Sequence, residues 1–247
     1  MINTEEYPKM YKKLSEFELE IHVAFLYKKI KETIQQYEHR NVLEIGVALD
    51  PFFSHFDDFQ QWTVVDACHE FINHAEQLSV NDNRIQCIEG FFEERAELLK
   101  NNHYDFIIIS SVLQDVKNAK EFLAKLKTIC SPRTVVHFNV PNARSFHRMT
   151  GIEMGLLDDI SKMTGNHIMS QHQHLFCMES FTELLIDAGF QIIESRTHFL
   201  KMFTTNQMNM MLRHGIIDEK ILEGLDKMLK YMPDFGSTIF VNCRLES

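Results

Sequence analysis

The chain has 247 residues, 45% hydrophobic and 24% charged, with 25 lysines and arginines against 35 aspartates and glutamates and a formal net charge of −10. Such a composition is typical of a globular protein that can bury a core without disulfide bridges. Because binding to a phosphate backbone needs clustered basic side chains, the acidic balance argues against a nucleic-acid partner. The 5 cysteines form no CxxC pair, which indicates neither a disulfide framework nor a zinc ribbon.

The apolar runs are too short for a membrane-spanning helix; residues 106–109, for example, have the length of a strand. Residues 1–6 lack the basic start and apolar stretch of a secretion signal. We therefore expect a cytoplasmic protein with no membrane partner. No repeat, low-complexity stretch or flexible linker divides the sequence, so we expect a single domain over residues 1–247.

The first forty residues predict an N-terminal helical cap. Ser15 and Glu18 have the spacing of a capping box, and apolar residues recur behind them at helical intervals to about Tyr37. After residue 40 the pattern changes to short apolar runs of strand type.

These runs alternate with segments of helix length over residues 41–140. Strands are predicted at residues 42–45, 62–65, 84–88, 104–109 and 134–140. Helices are predicted at residues 51–59, 69–78, 92–100 and 117–130. Strands alternating with helices predict a mostly parallel sheet covered on both faces, which is the doubly wound α/β class.

The alternation stops between about residues 142 and 174, where residues 149–163 have helical character and no strand pattern appears. We expect an insertion or lid over residues 141–178. A helix is then predicted over residues 179–188, ended by Gly189, followed by a strand over residues 190–199. Within residues 179–247 a second helical insertion covers 201–236, and the last strand, 237–244, suits an antiparallel position at or near the sheet edge.

Ligands of a doubly wound sheet bind at the carboxyl ends of its strands. Gly46 follows the first strand, where it would let the backbone turn close against a ligand. Asp66 ends the second strand, twenty residues after Gly46, where an acidic side chain can accept hydrogen bonds from both hydroxyls of an adenosine ribose. The other strand ends carry Glu89-Gly90-Phe91, Ser110-Ser111 and Asn139-Val140-Pro141-Asn142. Each has a simpler interpretation as a turn, cap or core residue, but their order predicts a nucleoside pocket.

Several stretches follow one another in a familiar order: Val42-Leu43-Glu44-Ile45-Gly46, Val64-Val65-Asp66, Tyr104-Asp105-Phe106-Ile107-Ile108, Leu113-Gln114-Asp115-Val116 and Ala188-Gly189-Phe190. In this order they resemble the motifs of class I S-adenosylmethionine-dependent methyltransferases, over most of the chain. Residues 141–148, 154–156 and 215–218 are similar, more narrowly, to a bacterial subgroup found among natural-product and surface-polysaccharide genes.

The resemblance implies a seven-stranded Rossmann-like fold that binds S-adenosylmethionine. It places the cofactor contacts on Glu44, Gly46, Asp66, Ala67, Gly90, Phe91, Ser110 and Ser111. The first two would lie by the methionine part, Asp66 would hold the ribose, Gly90 and Phe91 would flank the adenine, and the serines would pass near the sulfonium. The family's loop usually carries two or three glycines, whereas Ala48 and Asp50 occupy the later positions here.

The stretch after the fifth strand is rich in histidine and is expected to overhang the pocket. Methyl transfer depends on alignment of donor and acceptor, and a hydroxyl acceptor also gains from a general base, for which histidine is suited near neutral pH. His172 is the first candidate for this base; the alternative is a hydrogen bond to a loop carbonyl or exposure to solvent. A metal site built from His167, His172 and His174 is not expected, because no Asp or Cys is suitably spaced beside them.

Other residues are candidates for contact with the methyl acceptor. His147 and Arg148 could bind an anionic group, since arginine offers a planar fork, and their alternative is a surface salt bridge. Asn142 and His174 belong to the same expected site. Tyr7 or Tyr11 could touch the ligand from the N-terminal cap, or both could instead belong to a packed helix face.

The leading prediction is an S-adenosylmethionine-dependent methyltransferase acting on a hydroxyl or amine of a small polar metabolite, with a sugar or nucleotide-activated sugar favoured. A nicotinamide-dependent dehydrogenase is disfavoured, because after Gly46 the next glycine is Gly90 and no phosphate-binding loop remains. A catalytically silent binding subunit with the same fold stays open, since the glycine loop is reduced. Methionines that fit either core packing or a contact between subunits, such as a homodimer, are Met202, Met208, Met210 and Met211.

Overall fold

The computed structural model describes residues 3–13, 15 and 17–246, and its centre is a seven-stranded sheet of order β3-β2-β1-β4-β5-β7-β6. The strands are β1 (Asn41–Ile45), β2 (Gln61–Asp66), β3 (Ile85–Glu89), β4 (Phe106–Ser110), β5 (Val135–Pro141), β6 (Phe190–His198) and β7 (Thr238–Leu245). Neighbours among β1 to β5 pair parallel, and β7 pairs antiparallel with both β5 and β6. The sheet is therefore mixed, and the antiparallel last strand lies one place from the edge.

Helices cover both faces of the sheet. They are α1 (Glu6–Tyr11), α2 (Ala24–Ile34), α3 (His69–Leu78), α4 (Phe92–Leu99), α5 (Ala119–Lys127), α6 (Phe146–Glu153), α7 (Gly165–Met169), α8 (Met178–Asp187), α9 (Thr205–Arg213) and α10 (Glu219–Lys227). A π-helical segment (Phe17–Val23) leads into α2, and 3₁₀ turns lie at Phe52–His55 and Met228–Lys230. In the part of the chain that is described, no helix combines the length and apolar character needed to span a bilayer.

The core lies in two layers, one on each face of the sheet. Successive side chains of a strand point to opposite faces, so Leu43 and Ile45 join the cluster beneath α4, α5 and α8, while Val42 joins the cluster beneath α2 and α3. A third cluster packs Phe17 against Phe199 and the helices of the second insertion. The N-terminal segment and residues 201–236 therefore cover the same end of the sheet.

Two expectations about helices are corrected by the structure. Residues 51–59 form only a 3₁₀ turn at Phe52–His55 instead of a helix, and Phe52, Phe53, Phe56 and Phe59 are all buried there. The expected helix behind Ser15 is divided into the π-helical segment and α2. Its capping box is present: the Glu18 amide donates to the Ser15 hydroxyl at 3.3 Å, and the Ser15 amide donates to the Glu18 carboxylate at 3.1 Å.

Candidate functional site

A cavity of about 410 Å³ opens at the carboxyl ends of β1 to β4. The strand order reverses between β1 and β4, which is the position where open α/β sheets bind ligands. Helix α1 covers the cavity with Tyr7 and Tyr11. Predicted residues that line it are Gly46, Asp66, Ala67, Gly90, Phe91, Ser110, Ser111 and Tyr11.

The turn after β1 depends on a glycine. Gly46 has φ +83°, and a Cβ added there would lie 2.3 Å from Cγ2 of Val112. Ala48, two residues on, has φ +50°, a left-handed conformation that costs a non-glycine residue about 1 kcal/mol. The loop thus keeps the shape of a glycine-rich turn although its second glycine position holds alanine.

The Asp66 carboxylate joins this turn to the end of β2. One oxygen accepts the Val47 amide at 2.8 Å and the other accepts the Cys68 amide at 2.7 Å. Burial raises the pKa of Asp66, and these backbone donors oppose that rise. Asp66 also lines the cavity, and each carboxylate oxygen can accept a further hydrogen bond beyond these two.

The end of β4 is held by a side chain from β5. Ser110 and Ser111 both donate to the Asn139 amide oxygen, at 3.4 and 3.1 Å, and Ser111 has φ +53°. Gln114 donates to the Ser111 carbonyl at 2.6 Å. These bonds fix the two cavity-lining serines in place.

Asp115 is a site residue that the sequence analysis did not single out. It lines the cavity, accepts a hydrogen bond from Tyr7 at 3.1 Å, and has His172 Nε2 3.8 Å from its other oxygen. Burial raises the pKa of Asp115 to about 7, against the lowering effect of the Tyr7 and Gln114 donors. Its position five residues after the end of β4 is the signal that could have identified it.

His172 itself does not line the cavity, but it lies beside Asp115, which does. Burial, with a smaller effect of His167, lowers the pKa of His172 to about 4. Its Nδ1 atom is buried without a hydrogen-bond partner among the described residues. The imidazole is therefore neutral at physiological pH, with one nitrogen towards Asp115 and the other unused.

Three residues expected at the acceptor instead hold the insertion together. The Arg148 guanidinium, 5% exposed, donates through Nε and Nη2 to the carbonyls of residues 143, 160 and 162, while its Nη1 is buried with no hydrogen-bond partner among the described residues. Asn142 donates to the carbonyls of residues 234 and 236. His174 Nε2 lies 2.8 Å from the carbonyl oxygen of Val116. These side chains are committed to backbone groups and lie outside the cavity lining.

Glu44 also departs from the expected contact with the cofactor. It is 1% exposed, and its carboxylate accepts the Phe52 amide at 3.2 Å and the Trp62 indole N–H at 2.9 Å. Burial raises the pKa of Glu44 to about 8, although both donors lower it. The side chain positions the segment after β1 rather than lining the cavity.

Comparison with known proteins agrees with this geometry. A family profile described as a methyltransferase domain matches residues 19–195, more than half of the chain. The chain belongs to this methyltransferase family. No protein among those with curated descriptions matches the sequence.

Solved structures share the fold of this methyltransferase. A protein from Thermotoga maritima, described as an S-adenosylmethionine-dependent methyltransferase and possible histamine N-methyltransferase, has 13% identity and a TM-score of 0.62 over 98% of this chain and 100% of its own. An S-adenosylmethionine-dependent methyltransferase from Aquifex aeolicus has 13% identity and a TM-score of 0.59, with 100% of both chains covered. The CurJ carbon methyltransferase has 16% identity and a TM-score of 0.53 over 90% of this chain, which spans 53% of that protein.

S-adenosylmethionine is the cofactor of this methyltransferase, and the residues present fit it. When bound, it supplies a methyl group activated on a sulfonium. The Asp66 carboxylate offers acceptor positions for hydroxyls, Gly46 lines the cavity without a side chain, and Phe71 and Phe91 provide apolar surface for a base.

Substitution of Gly46 should show how tightly the turn is packed. Gly46→Ala should lower the free energy of unfolding by about 3 kcal/mol, because left-handed strain and overpacking against Val112 add together. Gly155→Ala is the matched control: that glycine has φ +71° and nothing within 4 Å, so strain alone should cost about 1 kcal/mol. Denaturant unfolding measures both, and Val112→Ala should recover about 1 kcal/mol or more in the Gly46→Ala background. Equal losses for the two alanine variants would contradict this packing.

Asp115 should give the protein a characteristic pH dependence. Its folded pKa of about 7 lies above the ordinary 3.8, so its contribution to stability is full below pH 3.8 and falls as the pH rises to about 7. The difference in unfolding free energy between wild type and Asp115→Asn should therefore fall across this interval and then level off. Urea unfolding at steps across the interval measures it. Asp159→Asn is the control: the pKa of Asp159 is lowered by Ser161, so that variant should show no fall there.

Proposed function

We propose that this methyltransferase transfers the methyl group to a hydroxyl or amine of a small polar metabolite, with a sugar or nucleotide-activated sugar favoured. The observation that carries the proposal is the half-buried Tyr7–Asp115–His172 group beside the cavity. A neutral imidazole can receive the proton that a hydroxyl loses as it is methylated, and a neighbouring carboxylate can stabilise the imidazolium that forms. An amine acceptor needs no such group once it is neutral, so this arrangement favours a hydroxyl.

His172 is the proposed base, and its two nitrogens have different tasks. Nε2 faces Asp115, which would orient the ring and stabilise the imidazolium once it forms. Nδ1, which is buried and unpartnered, is the atom available to take the acceptor proton. The 3.8 Å separation from Asp115 is longer than a hydrogen bond, and such contacts tighten when a substrate completes the site.

The cofactor contacts follow from the cavity lining. We propose that Asp66 accepts the ribose hydroxyls, that Gly90 and Phe91 flank the adenine, and that Gly46 adjoins the methionine part. Ser110 and Ser111 would lie near the sulfonium, at the end of the cavity that Asp115 also lines. Their hydroxyls already donate to Asn139, which leaves their oxygen lone pairs towards the cavity.

The size and charge of the site support a small acceptor. A cavity of about 410 Å³ lies near the lower end of the range for small-molecule pockets and leaves little room beyond the cofactor. We propose that the acceptor enters from the side of residues 142–174, next to His172. A net charge of −10 also disfavours a nucleic-acid substrate.

Cofactor binding tests the role of Asp66. S-adenosylhomocysteine, the demethylated product, should bind the wild type in calorimetric titration. Asp66→Asn should raise its Kd at least about tenfold, because the variant loses a charge-assisted acceptor for the ribose hydroxyls. Asp50→Asn changes an exposed carboxylate of the same loop and should leave the Kd unchanged. Equal affinity of the wild type and Asp66→Asn would remove the ribose contact from the proposal.

Turnover tests the base. With a hydroxyl acceptor found by screening activated sugars, His172→Gln should lower kcat about 100-fold or more while binding of S-adenosylhomocysteine is unchanged. His214→Gln, at an exposed position beyond α9, should retain wild-type kcat. Undiminished turnover in His172→Gln would show that His172 is not the base. Cofactor binding without turnover across hydroxyl and amine acceptors would favour the silent binding subunit instead.

A further inference from the structure

Three basic side chains meet at the same edge of the sheet as the cofactor cavity, beyond His172. They are His22 of the π-helical segment, His147 at the start of α6 and Lys201 after β6, and we call them the basic cluster. Lys201 is 9% exposed and donates to the Thr205 hydroxyl at 2.6 Å. The His22 ring packs against Phe199, with the ring centroids 4.9 Å apart, and its Nε2 lies 3.4 Å from the Ser237 hydroxyl.

No carboxylate of the described residues forms an ion pair with the basic cluster. Among the described ion pairs, none joins its members to a carboxylate, and the acidic group that acts on Lys201 is Glu18, which Ser15 already engages. Burial lowers the pKa of Lys201 to about 8. Burial, followed by the charges of Lys201, Arg148, His22 and His167, lowers the pKa of His147 to about 3. These groups would all gain from a nearby anion.

Two buried polar atoms without hydrogen-bond partners among the described residues lie at the start of α6, where His147 is located. The Ser145 hydroxyl, on a residue with 0% exposure, and His147 Nδ1 have no hydrogen-bond partner among the described residues. Ser145 is the N-cap residue of α6, yet its side chain makes no capping bond. Because buried polar atoms are normally paired, such a group of unsatisfied atoms indicates a missing ligand. The positive end of a helix adds to the attraction for an anion.

We propose that the basic cluster and Ser145 bind an oxyanion carried by the methyl acceptor, a phosphate or a carboxylate. The oxyanion would accept hydrogen bonds from the Ser145 hydroxyl, the His147 imidazole and the Lys201 ammonium, and it would supply the absent negative charge. This inference rests on the proposed function, since it assigns a chemical class to the acceptor of the same site.

The placement of the cluster also fits an acceptor held between it and the cofactor. His167 is close enough to His147 to lower its pKa, and the ring centroids of His167 and His172 lie 5.3 Å apart, so basic side chains run from Lys201 to the proposed base. The cofactor cavity has the opposite character, with carboxylates at Asp66, Glu93, Glu94, Asp115 and Glu121. An acceptor with an anionic end would therefore be drawn to the cluster and kept away from the cavity wall, which leaves its other end towards His172.

Titration of inorganic phosphate into the full chain tests the site, with chloride adjusted to hold the ionic strength constant. The wild type should bind phosphate, and Lys201→Gln and His147→Asn should each raise its Kd at least about tenfold. Lys120→Gln, which changes an exposed lysine of α5, is the matched control and should bind as the wild type does. Titration in buffers of different ionisation enthalpy should show proton uptake on binding, reduced in Lys201→Gln, which a purely structural lysine would not produce. Acetate in place of phosphate distinguishes the two oxyanions.

The same samples are titrated with S-adenosylhomocysteine, so that the two proposals fail separately. Absence of phosphate and acetate binding in a wild type that binds S-adenosylhomocysteine would overturn the anion site and leave the proposed function standing. An unchanged affinity for phosphate in both Lys201→Gln and His147→Asn, with no proton uptake, would also overturn the anion site. Phosphate binding that depends on Lys201 supports the site even in a sample that does not bind S-adenosylhomocysteine, a result that would count against the proposed function alone.

Discussion

The ligand-binding edge of this methyltransferase depends on one buried carboxylate. Asp66 accepts the Val47 amide from the turn after β1 and the Cys68 amide from the start of α3, and so ties two neighbouring strand ends together. Charge-assisted bonds of this kind hold backbone groups whose regular partners end with the strand. On the other side of β1, Glu44 does the same for Phe52 and the Trp62 indole. Both carboxylates thus organise the backbone at the carboxyl ends of the strands, and Asp66 also lines the cavity.

Acidic side chains give way to basic ones along this edge of the sheet. The cavity is acidic, the Asp115–His172 contact lies at its margin, and the cluster of His22, His147 and Lys201 follows. Burial weakens the charged form of each group, so at neutral pH the imidazoles are neutral and the lysine is readily deprotonated. Such groups respond strongly to a bound ligand because a single opposite charge restores their ionisation. The arrangement separates the place that holds the methyl donor from the place that selects the acceptor.

The sequence could predict the parts of this architecture that depend on local spacing. Strands and the separation of Gly46 from Asp66 follow from short apolar runs and turn residues, and both residues lie at the cavity as expected. What depends on distant partners was missed. The bonds from Arg148 to the carbonyls of residues 160 and 162 could not be predicted from local spacing, and Asp115 gains its partners only when Tyr7 and His172 fold back over it.

The reduced glycine loop bears on whether the protein retains the activity of its family. Loss of a glycine would matter if the turn had changed shape, but Ala48 adopts the left-handed conformation that the missing glycine would have taken. This conformation costs about 1 kcal/mol, which is comparable to the net stabilisation by a single hydrogen bond. Asp66 accepts a hydrogen bond from the neighbouring Val47 amide, and the Ala48 amide also lowers the pKa of Asp66. The position where a side chain would collide, Gly46, has kept its glycine. The substitution therefore preserves the cofactor-binding turn, which weighs against a catalytically silent subunit.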